Sequence, residues 1–514
     1  MVPMQTAPAR QTRASAVQSN IPAPPLTIAV PEDTPRFSDL AKQNLIHPVM
    51  LQTITQDMHF DHMMPVQAAT LQPLLADRAD VLAQAKTGTG KTVAFLLPAI
   101  QTLINSNRPP GRGTGISLLV ISPTRELAMQ IAKEATQLLQ RLPQYRISVA
   151  IGGTNKDREE REILGGCDIL IATPGRLYDH LSNRQIVNAF RHLDTLVLDE
   201  ADRLLDMGFM NALQDIIRCL PDKLATKRQG MLFSATIAPH VTKVAHLVLS
   251  PGYQFISTIP KGESNTHERV PQHLITVPTF SHVAPALVGA IRAESVTVGP
   301  QSFKAIIFAP TAALADFYGY VLQSLPNMPK VSILHSRVNQ TKRTKITGEF
   351  RDATQGIIVA TDVIARGMDF PGVSTVFQVG VPADRESYIH RLGRTARAGA
   401  EGRGIFIVTQ VESFFPQKVL AAIKFINETP DLSAAQDVFR AAQRMDEAQQ
   451  AKIYQAWLGY YKNHANRLQW TSEQLVAEGN VFAREGLGSP GTPALKKTTV
   501  GKMGLKGVKG LVYC

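Results

Sequence analysis

The hydrophobic positions in the first part of the chain form short continuous runs separated by longer amphipathic stretches. A continuous apolar run indicates a strand buried on both faces, because a half-exposed strand alternates apolar and polar residues. Such strands alternating with helices are typical of a parallel sheet covered on both sides. The runs lie at residues 81–83, 118–121, 147–150, 169–171, 196–198 and 231–233. The pattern predicts an α/β domain over residues 36–258.

The same pattern returns after a polar interruption. Residues 259–271 include Pro260, Gly262 and Asn265 and are typical of a linker. Continuous apolar runs follow at residues 306–308, 331–334, 357–359, 376–377 and 405–408. We therefore predict a second α/β domain over residues 272–415.

The last hundred residues have a different pattern. Residues 416–485 are helix-like and predict a helical C-terminal extension. Residues 486–514 contain five lysines among glycines and no acidic residue, which predicts a disordered basic tail. Such a tail would act as a tether that captures folded polyanions without chemistry of its own.

Composition narrows the class of protein. The 514-residue chain has a formal net charge of +12, which favours a polyanionic partner, although the charge could merely aid solubility. Cys167, Cys219 and Cys514 lie far apart, so neither a disulfide framework nor a zinc site is indicated. No apolar run approaches the length of a membrane span, and we expect no membrane partner. Residues 1–35 have no acid before Glu32 and predict a disordered segment, either the remnant of an organelle transit peptide or a plain tail.

A glycine-rich turn joins the first predicted strand to a predicted helix. Its backbone N–H groups would form an anion site at the helix N-terminus, with a lysine on the β- and γ-phosphates and a threonine hydroxyl on Mg²⁺. The alternative is a chance glycine turn with a surface lysine. The predicted nucleotide-binding residues are Ala85, Lys86, Thr87, Gly88, Thr89, Gly90, Lys91 and Thr92.

Acidic residues follow another buried run. Asp199, Glu200 and Asp202 come directly after residues 196–198, at the end of a strand where α/β sheets bind ligands. We expect Asp199 to face Mg²⁺ and Glu200 to orient and activate the attacking water. The alternative is an acidic helix N-terminus favoured by the helix dipole.

A basic stretch lies in the second predicted domain. If it is helical, the spacing puts His390, Arg394 and Arg397 on one face. Arginines from the second domain could stabilise the γ-phosphate held by the first when the domains close. A solvated basic stripe is the alternative.

These motifs, in this order, make the sequence similar to the DEAD-box RNA helicases over nearly all of residues 37–411. The resemblance implies two tandem RecA-like parallel-sheet domains that bind ATP and Mg²⁺. It also implies that Phe37 and Phe60 pack near the adenine while Gln67 reads its edge. In the second domain, Gly367 and Asp369 would lie near the nucleotide.

The resemblance further implies a set of RNA-binding residues and a set that couples hydrolysis to unwinding. Loop glycines, threonine hydroxyls and arginines at strand ends suit contacts with phosphates. The predicted RNA-binding residues are Pro123, Thr124, Arg125, Gly152, Gly153, Thr173, Pro174, Gly175, Arg176, Gln340, Arg343 and Thr361. The predicted coupling residues are Ser234, Thr236 and His390.

The C-terminal extension resembles that of the fungal mitochondrial DEAD-box helicases, through residues 470–480 and the glycine-lysine tail. This implies an RNA chaperone of the mitochondrial matrix that assists intron splicing, RNA folding and translation. Alternatively, the extension is a packing element whose aromatic residues bury against the second domain.

We expect a monomer that binds RNA largely independently of sequence. Three alternatives stay open: an ATP-gated RNA clamp with little unwinding, a cytosolic or nuclear helicase in ribosome assembly, and a duplex-DNA translocase.

Overall fold

The structure is a computed structural model that describes residues 34–86, 88–106, 108–110, 115–237, 239–259, 270–364, 368, 370–396 and 401–514. The predictions for Thr87, Gly367, Asp369 and Arg397 lie outside these residues. So do those for residues 1–33 and for 260–269 of the linker.

The first domain is built on a parallel sheet of seven strands in the order β3-β4-β2-β5-β6-β1-β7. All but the β3 and β7 edges are buried, in agreement with the continuous apolar runs. The strands are β1 (Val81–Gln84), β2 (Leu118–Ile121), β3 (Ile147–Ala150), β4 (Ile169–Ala172), β5 (Thr195–Leu198), β6 (Gln229–Ser234) and β7 (Gln254–Ser257).

The second domain repeats this architecture with a parallel sheet in the order β10-β11-β9-β12-β13-β8-β14. Its strands are β8 (Gln272–Val277), β9 (Lys304–Phe308), β10 (Val331–Leu334), β11 (Gly356–Ala360), β12 (Thr375–Val379), β13 (Arg403–Thr409) and β14 (Ile426–Glu428). Strand β14 pairs with β8 and lies in the segment that we predicted to be helical, so the second sheet extends beyond residue 415.

Helices cover both sheets. Those of the first domain are α1 (Phe37–Lys42), α2 (Pro48–Gln52), α3 (Pro65–Leu75), α4 (Lys91–Asn105), α5 (Arg125–Leu138), α6 (Lys156–Leu164), α7 (Pro174–His180), α8 (Arg184–Ala189), α9 (Ala201–Asp206), α10 (Met210–Cys219), α11 (Lys223–Thr226) and α12 (Pro239–Val248). The second domain has α13 (Val283–Val298), α14 (Ala312–Ser324), α15 (Gln340–Asp352) and α16 (Arg385–Leu392). The extension has α17 (Ala435–Gln443), α18 (Glu447–Leu468), α19 (Ser472–Val481) and α20 (Lys497–Lys502).

Short π- or 3-10-helical turns complete the described secondary structure, at Thr53–Asp57, Phe280–His282, Asp362–Ile364, Gln410–Ser413, Phe415–Val419 and Phe482–Gly486. Within the described part of the chain, no helix is both long and apolar enough to cross a bilayer.

The extension shares a hydrophobic core with the second domain. Trp457 is 1% exposed, and its ring centroid lies 5.0 Å from that of Phe280 and 5.7 Å from that of Phe482. Tyr461 donates a hydrogen bond of 2.7 Å to the buried carboxylate of Glu412 in the second domain. The aromatic residues of the extension therefore act in packing, as the alternative reading expected.

The prediction of a disordered tail is wrong. Leu495, Val500 and Leu505 are at most 2% exposed and belong to the core shared by the second domain and the extension. Helix α20 lies within this segment, while all five lysines remain at the surface. Apolar side chains at intervals of about five residues are thus enough to fold a glycine-rich basic segment onto its neighbour.

Candidate active site

The carboxyl ends of β1, β5 and β6 bring three predicted motifs together. These strands are neighbours in a parallel sheet, so the segments after them leave at one edge. Gly88 and Gly90 adopt φ values of 76° and 83°, in the left-handed region that glycine tolerates. A Cβ at Gly90 would lie 2.5 Å from Nε2 of Gln67. The turn that precedes α4 therefore requires glycine for both backbone and space.

Lys91 connects this turn with the acidic motif. Its Nζ donates to the carbonyl oxygen of Ala85 at 3.2 Å and lies 3.5 Å from Oε1 of Glu200. The lysine is 7% exposed and the glutamate 2%. Thr89 donates from its hydroxyl to the carbonyl of Lys86 at 2.8 Å, which holds the turn closed.

Two buried carboxylates stand side by side after β5. Burial, and then the charge of Glu200, raise the pKa of Asp199 from 3.8 to about 7, while Lys91 opposes the change. Glu200 has a φ of 50°, which is uncommon for a residue with a side chain and marks local strain. Two neighbouring carboxylates therefore stand at the edge of the sheet, and carboxylate oxygens are ligands that suit a divalent cation.

A cavity of about 470 Å³ opens beside these groups. It is lined by Met58, Phe60, His62, Met64, Gln67, Gly88, Gly90, Lys91, Thr92, Val93, Leu127, Gln130, Glu134, Gln137, Asp199, Glu200 and Arg394. Phe60 is 43% exposed at its rim, as expected for a side chain that packs on a planar ligand. Phe37 is 1% exposed within the first-domain core and is not among the residues that line the cavity, so its place near the base stays a prediction.

Gln67 links two sides of the cavity. Its Oε1 accepts from the backbone N–H of Met64 at 2.8 Å, and its Nε2 donates to the carbonyl of Gly90 at 3.1 Å. The amide therefore couples the start of α3 to the turn before α4 in addition to lining the cavity.

Arg394 reaches this cavity from the second domain. It is 1% exposed, and its Nη1 donates to the carbonyl oxygen of Met368 at 2.5 Å. Helix α16 ends at Leu392, so the predicted helical face shared by His390 and Arg394 is wrong. After Leu392 the backbone continues in tighter turns, in which the N–H of Arg394 donates to the carbonyl of Arg391 at 3.1 Å, and Nε of Arg394 donates to the carbonyl of His390 at 3.3 Å. The turn, not helical spacing, aims the arginine.

The predicted coupling residues of the first domain lie directly beside the acidic motif. The hydroxyl of Thr236 donates to Oδ2 of Asp202 at 3.1 Å. The backbone N–H of Asp202 donates to the hydroxyl oxygen of Ser234 at 3.3 Å. Ser234 therefore connects the end of β6 with the helix that follows Glu200.

A second cavity, of about 580 Å³, lies between the domains. Nine of the twelve predicted RNA-binding residues line it, namely Pro123, Thr124, Arg125, Gly152, Thr173, Gly175, Arg176, Arg343 and Thr361. Gly153, Pro174 and Gln340 lie outside its lining. Seven further lining residues were not in the predicted set, although Glu126, Ser336 and Asp362 lie within its motifs; they are Glu126, Asp179, Arg203, Met207, Phe209, Ser336 and Asp362.

Gly152 and Gly153 support the guanidinium of Arg125. A Cβ at Gly152 would meet Nη2 of Arg125 at 2.8 Å, and one at Gly153 would meet Nη1 at 2.7 Å. The two glycines therefore leave room for the arginine to lie flat on the backbone. Gly153 therefore helps to position Arg125 although it does not itself line the cavity.

Ion pairs and hydrogen bonds join the domains around this cleft. Nη2 of Arg343 lies 2.6 Å from Oε1 of Glu126, and both side chains are at most 5% exposed. Nη2 of Arg203 donates to the carbonyl oxygen of Asp362 at 3.3 Å. The carboxylate of Asp362 also accepts two hydrogen bonds from Arg391, at 2.7 and 3.0 Å. Residues distant in sequence thus hold the two sheets against one another.

Comparison with known families agrees with this geometry. Residues 64–244 match the DEAD/DEAH box helicase family, and residues 295–399 match the helicase conserved C-terminal domain. These two matches contain both sides of the cleft and all residues lining the first cavity except Met58, Phe60 and His62.

Curated relatives are similar over nearly the whole chain. The mitochondrial ATP-dependent RNA helicase MSS116 of Phaeosphaeria nodorum is 44% identical over 463 residues, which cover 88% of this chain and 83% of the relative. DEAD-box ATP-dependent RNA helicase 26 of Oryza sativa subsp. japonica is 42% identical over 473 residues, covering 91% and 84%.

Solved structures show the same arrangement. Mss116p bound to single-stranded RNA and AMP-PNP superposes with a TM-score of 0.81 at 31% identity and covers 92% of this chain and 95% of that one. Mss116 bound to single-stranded RNA and UDP-BeF gives the same TM-score at 30% identity, covering 94% and 99%. The chain belongs to the DEAD-box family of ATP-dependent RNA helicases.

Proposed function

We propose that ATP binds in the 470 Å³ cavity with its phosphates on residues 88–92 and Mg²⁺ near Asp199 and Thr92. The raised pKa of Asp199, caused by burial beside Glu200, supports a cation site because a cation would restore the ionised carboxylate. Mg²⁺, when bound, would neutralise phosphate charge. Lys91 would pair with the β- and γ-phosphates once they replace its contact with Ala85.

Hydrolysis then depends on positioning and charge. Glu200 would hold the attacking water, since its carboxylate is buried beside the phosphate turn. Arg394 would stabilise charge on the γ-phosphate, and Arg397 would do the same by the family pattern. The observation that carries this proposal is that Arg394 of the second domain lines a cavity whose phosphate turn belongs to the first.

The interdomain cleft would hold the RNA backbone. Arg125, Arg176 and Arg343 supply cations, and Gly152 brings backbone N–H groups close, which suits phosphates more than bases. The contacts of Ser234 and Thr236 with Asp202 would couple the nucleotide to this cleft, with His390 on the second-domain side. Binding should weaken steeply with salt and vary little with sequence.

Closure of the domains on one strand would separate a short duplex locally. The Glu126–Arg343 and Arg203–Asp362 contacts support this step, because they can form only when the domains approach. We further propose a mitochondrial role as an RNA chaperone that assists intron splicing and translation, since two fungal relatives carry the name mitochondrial MSS116.

One assay tests the proposal. ATP turnover and separation of a short duplex are measured with RNA and with DNA of the same sequence. We expect RNA to stimulate ATP turnover and the RNA duplex to be unwound. DNA should not stimulate turnover and should stay paired, because it lacks the 2′-hydroxyl groups that distinguish RNA. RNA binding with little turnover and little strand separation would favour an ATP-gated clamp. Equal activity on DNA would favour a translocase.

A further inference from the structure

A cluster of charged and polar side chains surrounds the buried carboxylate of Glu159 beside the first-domain side of the interdomain cleft. Its members are Glu159 and Glu160 on α6, Arg176 and His180 on α7, and Thr154 in the loop before α6. His180 is 0% exposed and Glu159 is 5% exposed. We call these five residues the Glu159 cluster. Burying a charge costs free energy unless the charge is paired, so we looked for the role that the pairs of this cluster serve.

The carboxylate of Glu159 lies at the centre. Its Oε2 is 2.7 Å from Nε2 of His180 and 3.1 Å from Nη1 of Arg176. Its Oε1 accepts from the backbone N–H of Ile151 at 3.4 Å and from the hydroxyl of Thr154. Ile151 and Thr154 flank Gly152 and Gly153, so a single carboxylate holds both ends of this glycine loop and an arginine of α7.

Glu159 remains ionised in this setting. Burial alone would raise its pKa, but the hydrogen bonds from His180 and Thr154 and the charge of Arg176 outweigh burial and lower it. Because ionised carboxylates only accept hydrogen bonds, Arg176 and the loop can be oriented by Glu159 without competition from a proton.

His180 is oriented in turn by a second carboxylate. Its Nδ1 lies 3.3 Å from Oε1 of Glu160, whose Oε2 accepts from Nδ2 of Asn183 at 2.9 Å. The ionised carboxylates of Glu159 and Glu160 can only accept hydrogen bonds. The two contacts with His180 are therefore both hydrogen bonds when both nitrogens of its ring carry protons. His180 thus fixes the position of Glu159 from the side away from the cleft.

The far side of the cluster faces the cleft. Arg176 is 12% exposed, lines the cavity, and donates through Nη2 to the carbonyl of Thr154 at 3.1 Å. The same loop supports Arg125 through Gly152 and Gly153. The directions of two cleft-lining guanidinium groups therefore depend on one buried carboxylate.

We propose that Glu159 and His180 are positioning residues for RNA: they hold Arg176 and the glycine loop under Arg125 in the arrangement that grips the RNA backbone. This proposal rests on the proposed RNA contact of Arg125, Gly152 and Arg176. Neither residue lines the cleft, so both act through the residues that do.

The first test replaces Glu159 by glutamine, which keeps the size of the side chain but removes its charge. ATP turnover is measured against RNA concentration and against ATP concentration. We expect Glu159→Gln to raise the KM for RNA about tenfold, the scale of one lost hydrogen bond to a charged group. The kcat at saturating RNA and the KM for ATP should stay near the parent values.

The matched control is Glu162→Gln on the same helix. Glu162 pairs with Arg158 at the surface, where the two side chains are 47% and 75% exposed. This substitution should leave the KM for RNA unchanged. If Glu162→Gln raised the KM for RNA as much as Glu159→Gln, a general charge effect would explain the result and the proposal would be overturned.

A double-mutant cycle with Arg176→Ala separates this proposal from the RNA contact on which it rests. If Arg176→Ala alone leaves the KM for RNA unchanged, the proposed contact of Arg176 fails. If Arg176→Ala raises it and Glu159→Gln adds its full effect on top, Glu159 does not act through Arg176, and the proposed positioning of that guanidinium group fails. We expect the KM for RNA of the double variant to lie only slightly above that of Arg176→Ala, because both changes act on the same guanidinium contact.

A second variant distinguishes a positioning role from a simple loss of stability. His180→Gln retains a donor toward Glu159, and we expect a smaller rise in the KM for RNA with an unchanged KM for ATP. Thermal unfolding is followed for each variant. If either variant loses RNA and ATP binding together with a lowered Tm, the cluster has only a structural role and the proposal is refuted.

Discussion

The buried ion pair between Glu126 and Arg343 should control closure of the domains. Nη2 of Arg343 and Oε1 of Glu126 lie 2.6 Å apart, and both side chains are nearly free of solvent. Burial alone lowers the pKa of Arg343, and the charge of Glu126 opposes that change. When the domains separate, both groups can return to water, so the pair belongs to the closed state.

Removing one partner leaves the other buried and unpaired. Such a change costs about 3–5 kcal/mol in a buried pair. Because each 1.4 kcal/mol is about tenfold, Arg343→Ala should weaken RNA binding in the presence of a non-hydrolysable ATP analogue by about a hundredfold or more. Nucleotide affinity without RNA should not change, since the cavity residues of the first domain are untouched.

Fluorescence anisotropy of a labelled single-stranded RNA, with and without the ATP analogue, measures this effect. Lys345→Ala is the control, because Lys345 lies on the same helix at 75% exposure. Glu126→Ala removes no cation from the cleft and should weaken binding to a similar extent. Because Arg343 is also proposed to contact RNA, Glu126→Ala is the decisive variant: if it leaves RNA binding unchanged, the pair does not control closure and the reasoning is refuted.

Four further predictions concern the nucleotide site and the C-terminal segment. Lys91→Ala should abolish ATP hydrolysis while the buried sheet remains folded, because it removes charge from the phosphates; normal turnover would contradict the assignment. Glu200→Gln should bind ATP and RNA with hydrolysis nearly absent, as measured by single-turnover kinetics, and hydrolysis at the parent rate would require another base. Leu505→Ala should lower the free energy of unfolding by about 2–5 kcal/mol in denaturant titrations, since the side chain is 0% exposed; an unchanged midpoint would mean that the segment does not pack. Because the pKa of Asp199 is raised to about 7, its contribution to stability without nucleotide is fully present below pH 3.8 and is lost as the pH rises through 7. Denaturant titrations from pH 4 to 8 should therefore show a smaller decline in the free energy of unfolding for Asp199→Asn than for the parent. An identical decline would contradict the raised pKa of Asp199.

Both sheets could be predicted largely from the hydrophobic pattern. Strands such as β2 and β4 are buried on both faces, and their continuous apolar runs distinguish them from amphipathic helices. The edge strands β7 and β14 were missed because their side chains face solvent, so their sequences carry no apolar run. A strand at an edge is specified by its neighbour's hydrogen-bonding groups more than by its own side chains.

The C-terminal segment shows the limit of composition. Five surface lysines and several glycines predicted disorder, but Leu495, Val500 and Leu505 bury against the extension. Composition averages over such residues, whereas folding depends on whether a complementary apolar surface lies within reach. That surface belongs to the core shared by the second domain and the extension and could not be seen from the segment itself.

The sequence by itself determined the fold class and the local chemistry of the phosphate turn, since Gly88 to Thr92 act within one strand-turn-helix unit. It also identified Glu200 at the end of its strand. Only the tertiary structure decided that a turn after α16, not a helical face, delivers Arg394 to the cavity. The physical reason is that local backbone preferences act over a few residues. Pairs such as Glu126 with Arg343 are separated by more than two hundred residues and form only when two independently folded sheets meet.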